Sequence, residues 1–213
     1  AAFADTREAA FWLDSSGNDN DFQHVNLDHN DTVSDSPTDN FATFNPLQVA
    51  TSGAPTFADG NLEVTTPVSG SGIALSTIGV TSGKYFAEVT IVSINSLQRS
   101  IVGITGDANA TITANTNIGS LTSSLDVGYF FNGTKFVGNV ETSGYGDSYD
   151  VGDVIGIALN VDDSEVTFFK NGATQGAISF TAGGTYHFAY CDGSAGAGGT
   201  ARVNFGQQPF VYG

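Results

Sequence analysis

From about Thr56 onward the chain alternates short runs of β-branched and aromatic residues with turns built on glycine. No other feature constrains the fold as strongly. Runs this short can bury only one face each, and a glycine turn after each reverses the chain onto its neighbour. Strand-like runs fall near 61–65, 72–78, 84–94, 99–105, 126–131, 135–140, 153–161, 164–170, 176–180, 185–191 and 200–205. In Tyr85-Phe86-Ala87-Glu88-Val89-Thr90-Ile91 the odd positions share one face, as the period of two requires. Val154-Ile155-Gly156-Ile157-Ala158-Leu159 is nearly continuous in apolar character, which suits a central strand covered on both faces. Asn-Gly pairs at Asn132-Gly133 and Asn171-Gly172 mark hairpins, and Asp162-Asp163-Ser164 marks a polar turn. The expectation is an all-β fold, a two-sheet antiparallel sandwich with no helix of useful length after residue 56.

Residues 1–55 read differently, as an extended arm before a sandwich spanning 56–213. Polar turn formers crowd residues 14–21 and 23–40, and sustained periodicity is missing apart from a short helical turn expected within 5–13. Sparse anchors (Phe11, Trp12, Phe22, Val25, Leu27, Phe41, Phe44) would pack the arm onto another surface, since alone it buries too little to offset its ordering entropy. The sequence begins with Ala1, which fits a trimmed initiator or a piece of a longer chain.

Twenty-two acidic residues against six basic ones leave a net charge of −16. That excludes nucleic acid as a natural partner, because such binding needs Lys and Arg on phosphates, and it disfavours anionic membrane surfaces. No apolar run is long enough to span a bilayer. Cys191 is the sole cysteine and sits in an apolar-aromatic run, so it is expected to be a buried, inert thiol.

Four segments resemble SPRY domains in the order that family shows. Gly83-Lys84-Tyr85-Phe86-Ala87-Glu88-Val89 resembles its "GKYYWEV" strand, and Ile101-Val102-Gly103-Ile104 its "VGI" strand. Gly152-Asp153-Val154-Ile155-Gly156-Ile157-Ala158-Leu159 resembles "GDVIGVALD", and Glu165-Val166-Thr167-Phe168-Phe169-Lys170-Asn171-Gly172 its "F-x-K-N-G" hairpin. The resemblance implies a concanavalin-like sandwich of jelly-roll type, acting as a binding module whose specificity lies in loops at one end. It implies no catalytic residues.

The arm carries a second resemblance. Leu13-Asp14-Ser15-Ser16-Gly17-Asn18-Asp19-Asn20-Asp21-Phe22 is similar to a "D-S-S-G-N-G-N-D-F" junction. Asp35-Ser36-Pro37-Thr38-Asp39-Asn40-Phe41-Ala42-Thr43-Phe44-Asn45-Pro46-Leu47 is similar to "D-T-P-T-N-N-F-A-T-L-N-P-L". Both patterns occur in tailed-phage structural proteins, where they link a laminin-G-like domain to a SPRY-like one. Residues 1–13 would then be the end of such an upstream domain. This implies a non-enzymatic component of the virion surface, in a tail fibre, head fibre or capsid decoration. Its partners would be other virion proteins, further copies of itself, and a host cell-surface glycan. Other readings are a carbohydrate-binding module of a secreted protein and a glycan hydrolase.

A glycosidase needs two carboxylates across a cleft, and the five glutamates (Glu8, Glu63, Glu88, Glu141, Glu165) do not form the Glu-x-Asp-x-x-Glu pattern of such enzymes. Glu88 is expected to face solvent or pair with an arginine. His24, His29 and His187 accompany no nucleophile elbow. No cofactor is expected apart from calcium, for which Asp14, Asn18, Asp19 and Asp21 offer hard oxygens on a turn-like segment. For a ligand, the candidates are Tyr145, Asp147 and Tyr149. Tyrosines on a glycine-rich loop stack on sugar rings while neighbouring polar groups bond the hydroxyls, or else pack against the sandwich rim.

Overall fold

The computed structural model describes residues 16–18, 20, 40–50, 53–67, 71–94, 100–114, 116–192 and 198–213. The chain divides into two units, Ala1–Asp39 and Asn40–Gly213. In the first, the Asn18 side-chain amide donates to Ser16 Oγ at 3.1 Å. Asp14, Asp19 and Asp21 lie outside the described residues, as do Phe11, Trp12, Phe22, Val25 and Leu27.

The second unit is a sandwich of two antiparallel sheets. Its strands are β1 (Thr56–Ala58), β2 (Glu63–Thr65), β3 (Ala74–Leu75), β4 (Lys84–Ser93), β5 (Ser100–Thr105), β6 (Asp126–Phe130) and β7 (Lys135–Val137). They continue as β8 (Val140–Thr142), β9 (Val154–Asn160), β10 (Glu165–Lys170), β11 (Ala173–Ser179), β12 (His187–Asp192) and β13 (Thr200–Asn204). One sheet runs β1-β2-β13-β4-β9-β10-β11 and the other β3-β12-β5-β6-β7-β8. The three-residue strands β1 and β8 were not anticipated, because three residues are too few to display an alternation.

Alternation decides which side chains meet between the sheets. Ala87, Val89 and Ile91 from β4 join Ile155, Ile157 and Leu159 from β9 and Phe168 from β10. Val102, Ile104, Val127, Tyr129, Phe188 and Tyr190 face them from the other sheet. The odd-position face expected for β4 is therefore the core face, with Tyr85 at its end 43% exposed. Phe44 belongs to this core at 1% exposure, and it bridges Ser76. That places an anchor from the expected arm inside the second unit.

A smaller core covers the outer face of the six-stranded sheet. Ile101, Phe130, Ala189 and Cys191 point outward there and meet Ile73, Leu75 and Ile118. Helix α1 (Ala108–Ala114), which the sequence reading missed, lays Ala108 and Ile112 on the same cluster. Asp107 starts it by accepting the Ala110 N–H at 2.9 Å. Gly103 and Gly128 are cross-strand partners. A Cβ on either would run into its close neighbours, the Ile118 side chain over Gly103 and the Ile118 carbonyl over Gly128. The glycine of the "VGI" strand is thus a point of close approach. Cys191 is buried as expected, and burial pushes its thiol up to about 12.

Asp126, at the start of β6, holds residues 119–121 from beneath. It is 0% exposed, and its Oδ2 accepts the N–H groups of Gly119 (2.7 Å) and Leu121 (3.4 Å). Oδ1 has no hydrogen-bond partner among the described residues. Burial raises this carboxyl above its ordinary value despite those two donors. A raised folded-state value favours the protonated form, so its stabilisation is complete below the unfolded value of about 3.9. It is lost as pH rises through the folded value. Urea unfolding of the parent and Asp126→Asn across pH 4–7 tests this. The parent is expected to lose stability relative to the variant as pH rises, and a flat difference would contradict it.

A candidate binding rim

Three connecting segments converge at one end of the sandwich, and the two Asn-Gly pairs shape two of them differently. Between β6 and β7, Gly133 adopts φ +81° and donates to the Phe130 carbonyl at 3.0 Å, while Asn132 stays at negative φ. This is a three-residue hairpin with a glycine bulge. Between β10 and β11, Asn171 (φ +48°) and Gly172 (φ +81°) both take the left-handed conformation, as a two-residue mirror-image turn requires. The third segment, residues 143–150, crosses between β8 and β9 and is pinned to the first hairpin. Tyr145 and Gly146 each donate to the Gly133 carbonyl at 3.0 Å, and the Tyr149 N–H donates to Phe131 at 2.7 Å.

Tyr149 does not serve as a stacking platform. It is 2% exposed, and its hydroxyl lies 2.8 Å from the Ser100 carbonyl and 2.9 Å from that of Tyr129. Both oxygens are in the sheet interior, so the residue is a strut under the loop, and the expectation of a sugar-stacking ring is corrected. Burial pushes its hydroxyl well above the ordinary value. Tyr145 is half-buried, with its edge against Tyr129 (5.5 Å between ring centres) and Phe168 (6.4 Å). Its hydroxyl donates to the Gly176 carbonyl, and burial moves it up to about 12. The Lys135 ammonium stands 5.2 Å from its ring centre, at cation–π distance. Asp147 is exposed at the crown. Its N–H donates to Gln175 Oε1 at 2.6 Å and its carbonyl accepts the Tyr129 hydroxyl.

The residues that fix the crown carry no local signal in the sequence. Tyr129 reaches it from the core, and Gln175 from the bulged strand β11 beside Gly176 (φ +99°). Lys170 donates to the Ser148 carbonyl at 2.7 Å and pairs with Asp153 at 3.3 Å. Burial raises the Asp153 carboxyl, but the Asp150 N–H, the Asn171 amide and Lys170 outweigh it, leaving the carboxyl below its ordinary value. The "K-N-G" and "G-D-V" segments are thereby tied together, 17 or more residues apart in sequence, which no local pattern reveals.

Two other expectations resolve structurally. His187 Nδ1 lies 2.8 Å from the Ser76 carbonyl, a packing role. Glu88 neither faces solvent nor pairs with an arginine: it is 2% exposed and accepts the N–H groups of Val211 (2.7 Å) and Tyr212 (2.8 Å). Among the described residues no three His, Cys, Asp or Glu side chains gather to hold a metal ion.

Residues 108–208 match the family model of the SPRY domain. The sandwich is similar in fold to SPRY domains. Among solved structures, the SPRY domain of human HERC1 is similar with a TM-score of 0.64 at 21% identity, covering 78% of this chain and 99% of that one. A second human SPRY domain matches with a TM-score of 0.60 at 18% identity, covering 73% and 97%. Stonustoxin matches with a TM-score of 0.58 at 15% identity, covering 77% of this chain and 27% of its own. No curated protein matches the sequence. SPRY domains typically act as protein-interaction modules and are generally non-catalytic.

Proposed function

We propose that this chain is a non-enzymatic bacteriophage virion surface protein, of a tail fibre, head fibre or capsid decoration, whose SPRY-type sandwich presents the rim to a protein partner. The observation that carries the interaction role is the crown around Asp147. It is exposed, yet each flank is tied to the sheets by backbone hydrogen bonds. A loop held this way loses little entropy on docking. The virion setting is supported by the two junction-like segments, 13–22 and 35–47. A net charge of −16 suits a particle surface that must resist non-specific association. A protein partner is preferred to a glycan because Tyr149 is sequestered and Tyr145 is already engaged by Lys135.

Light scattering on the full chain, beside a chain beginning at Asn40, tests the reading. The shorter chain keeps Phe44 in the core. The full chain is expected to be an oligomer and the shorter one a monomer, with residues 1–39 as the assembly device. Two monomers together with saturable glycan-array binding would instead indicate a carbohydrate-binding module. Release of reducing sugar would indicate a hydrolase.

A further inference from the structure

The outer face of the seven-stranded sheet carries a second construction, away from the rim loops. Across it runs one ladder row, Asn204 on β13, Glu88 on β4, Gly156 on β9 and Phe169 on β10. All four point away from the core, because their neighbours Val203, Ala87, Val89, Ile155, Ile157 and Phe168 fill it. Residues 208–212 lie over this row. The Asn204 amide donates to the carbonyls of Gln208 (3.0 Å) and Pro209 (3.3 Å). Glu88 accepts the N–H groups of Val211 and Tyr212. Two adjacent side chains thus read the carbonyls and then the N–H groups of a backbone that bends at Val211. The Phe210 ring meets Phe86 edge-on, 4.9 Å between centres.

This grip is made to main chain, so it tolerates different side chains. The glycine in the row leaves a gap that a side chain would close, since a Cβ on Gly156 would press on Phe86 and Phe169. What remains is a hollow of about 460 Å³, walled by Phe86, Val154, Ala158, Phe169 and Phe210 with Glu88 among its lining residues. Its size and apolar lining with one charged group are those of a ligand site. Residues 211–212 leave the hollow underfilled: Val211 is 66% and Tyr212 52% exposed beside it.

We propose that this face is a peptide-binding groove, occupied in part by the chain's own residues 208–212. Its ligand is a segment of a partner protein that bends as residues 208–212 do, with an aromatic residue followed by two non-proline residues. The incoming ring sits against Phe86 and Phe169, its two N–H groups replace those of Val211 and Tyr212 on Glu88, and a bulkier apolar neighbour fills the hollow. Backbone bonds supply affinity and the apolar pocket supplies selection. The proposal is independent of the rim and of the virion setting.

The test uses the full chain and a fluorescently labelled, end-blocked peptide copying residues 208–213. The tethered segment competes at an effective concentration in the millimolar range, so the parent is expected to bind the peptide weakly. Phe210→Ala loosens the tether, and its affinity for the peptide is expected to be at least about tenfold higher. Methylating the two peptide nitrogens that match Val211 and Tyr212 should abolish binding. Adding Ala158→Leu, which fills the hollow without touching Glu88, should weaken binding about tenfold. Circular dichroism establishes that each variant is folded. Absence of saturable binding to folded Phe210→Ala overturns the proposal, as does equal binding of the methylated peptide. Concentration-dependent dimers of the parent that the peptide dissolves would make the occupant a second copy, overturning the assignment to a partner protein.

Discussion

Replacing Tyr149 with alanine is expected to lower the unfolding free energy by about 3–5 kcal/mol, the range for deleting a buried aromatic ring. The ring is 2% exposed and packs 5.2 Å from that of Tyr129. Its hydroxyl is also the donor beside two strand carbonyls, Ser100 on β5 and Tyr129 on β6. Alanine leaves both a cavity and buried acceptors short of a donor. Tyr149→Phe separates the two effects. It keeps the ring, so its loss should be about 1–3 kcal/mol, the cost of leaving a buried polar group unsatisfied. Urea unfolding of the three chains measures both. The function should follow the stability: with the strut gone, residues 143–148 keep their bonds to Gly133 and Gln175 but lose their footing on the sheet interior. Partner affinity at the rim is expected to fall in Tyr149→Ala even where the chain remains folded. A stability loss within about 0.5 kcal/mol, the ordinary range for surface sites, would contradict the strut assignment.

Phe168→Ala is expected to cost a similar amount, about 3–5 kcal/mol. Phe168 is 0% exposed on the inner face of β10, 5.3 Å from Tyr129 and 6.4 Å from Tyr145 between ring centres. Its removal opens a void beneath both tyrosines that hold the crown. The informative comparison is with Phe169, its neighbour in sequence. Phe169 points to the other face, is half-buried, and meets Phe86 at 6.3 Å. Phe169→Ala should cost less, about 1–2 kcal/mol for a partly buried side chain, while removing a wall of the peptide groove. Chemical denaturation of both variants checks the register: equal losses would mean that the two rings do not lie on opposite faces.

Those adjacent phenylalanines show where a sequence is readable and where it is not. The alternation along 84–91 and the continuous apolar run of 154–159 identified the strands and the core face of β4, because side-chain direction in a strand follows from chemistry two residues away. The Asn-Gly pairs located both hairpins for the same local reason, although their backbone geometries differ. The helix at Ala108–Ala114 was missed because seven residues with only Thr111 buried carry little periodic signal. Its capping residue Asp107 was the available cue.

The site was less legible than the fold. Loop composition marked Tyr145, Asp147 and Tyr149, and all three do lie in the rim segment. Which tyrosine is strut and which is surface depends on Ser100 and Tyr129, 49 and 20 residues away from Tyr149. Glu88 read as an exposed strand carboxylate because its strand neighbours are ordinary. Its burial comes from residues 123 and 124 positions later in the chain.

Spacings of a few residues carry most of the architecture of residues 56–213: the longer strands, both Asn-Gly hairpins, the core face of β4 and the resemblance to SPRY domains. The fate of individual polar groups is settled in three dimensions, because burial and hydrogen-bond satisfaction are set by whatever distant segment arrives on top. Asp126 became a buried carboxyl, Glu88 a grip on a peptide backbone, and Tyr149 a strut through contacts that local sequence does not encode.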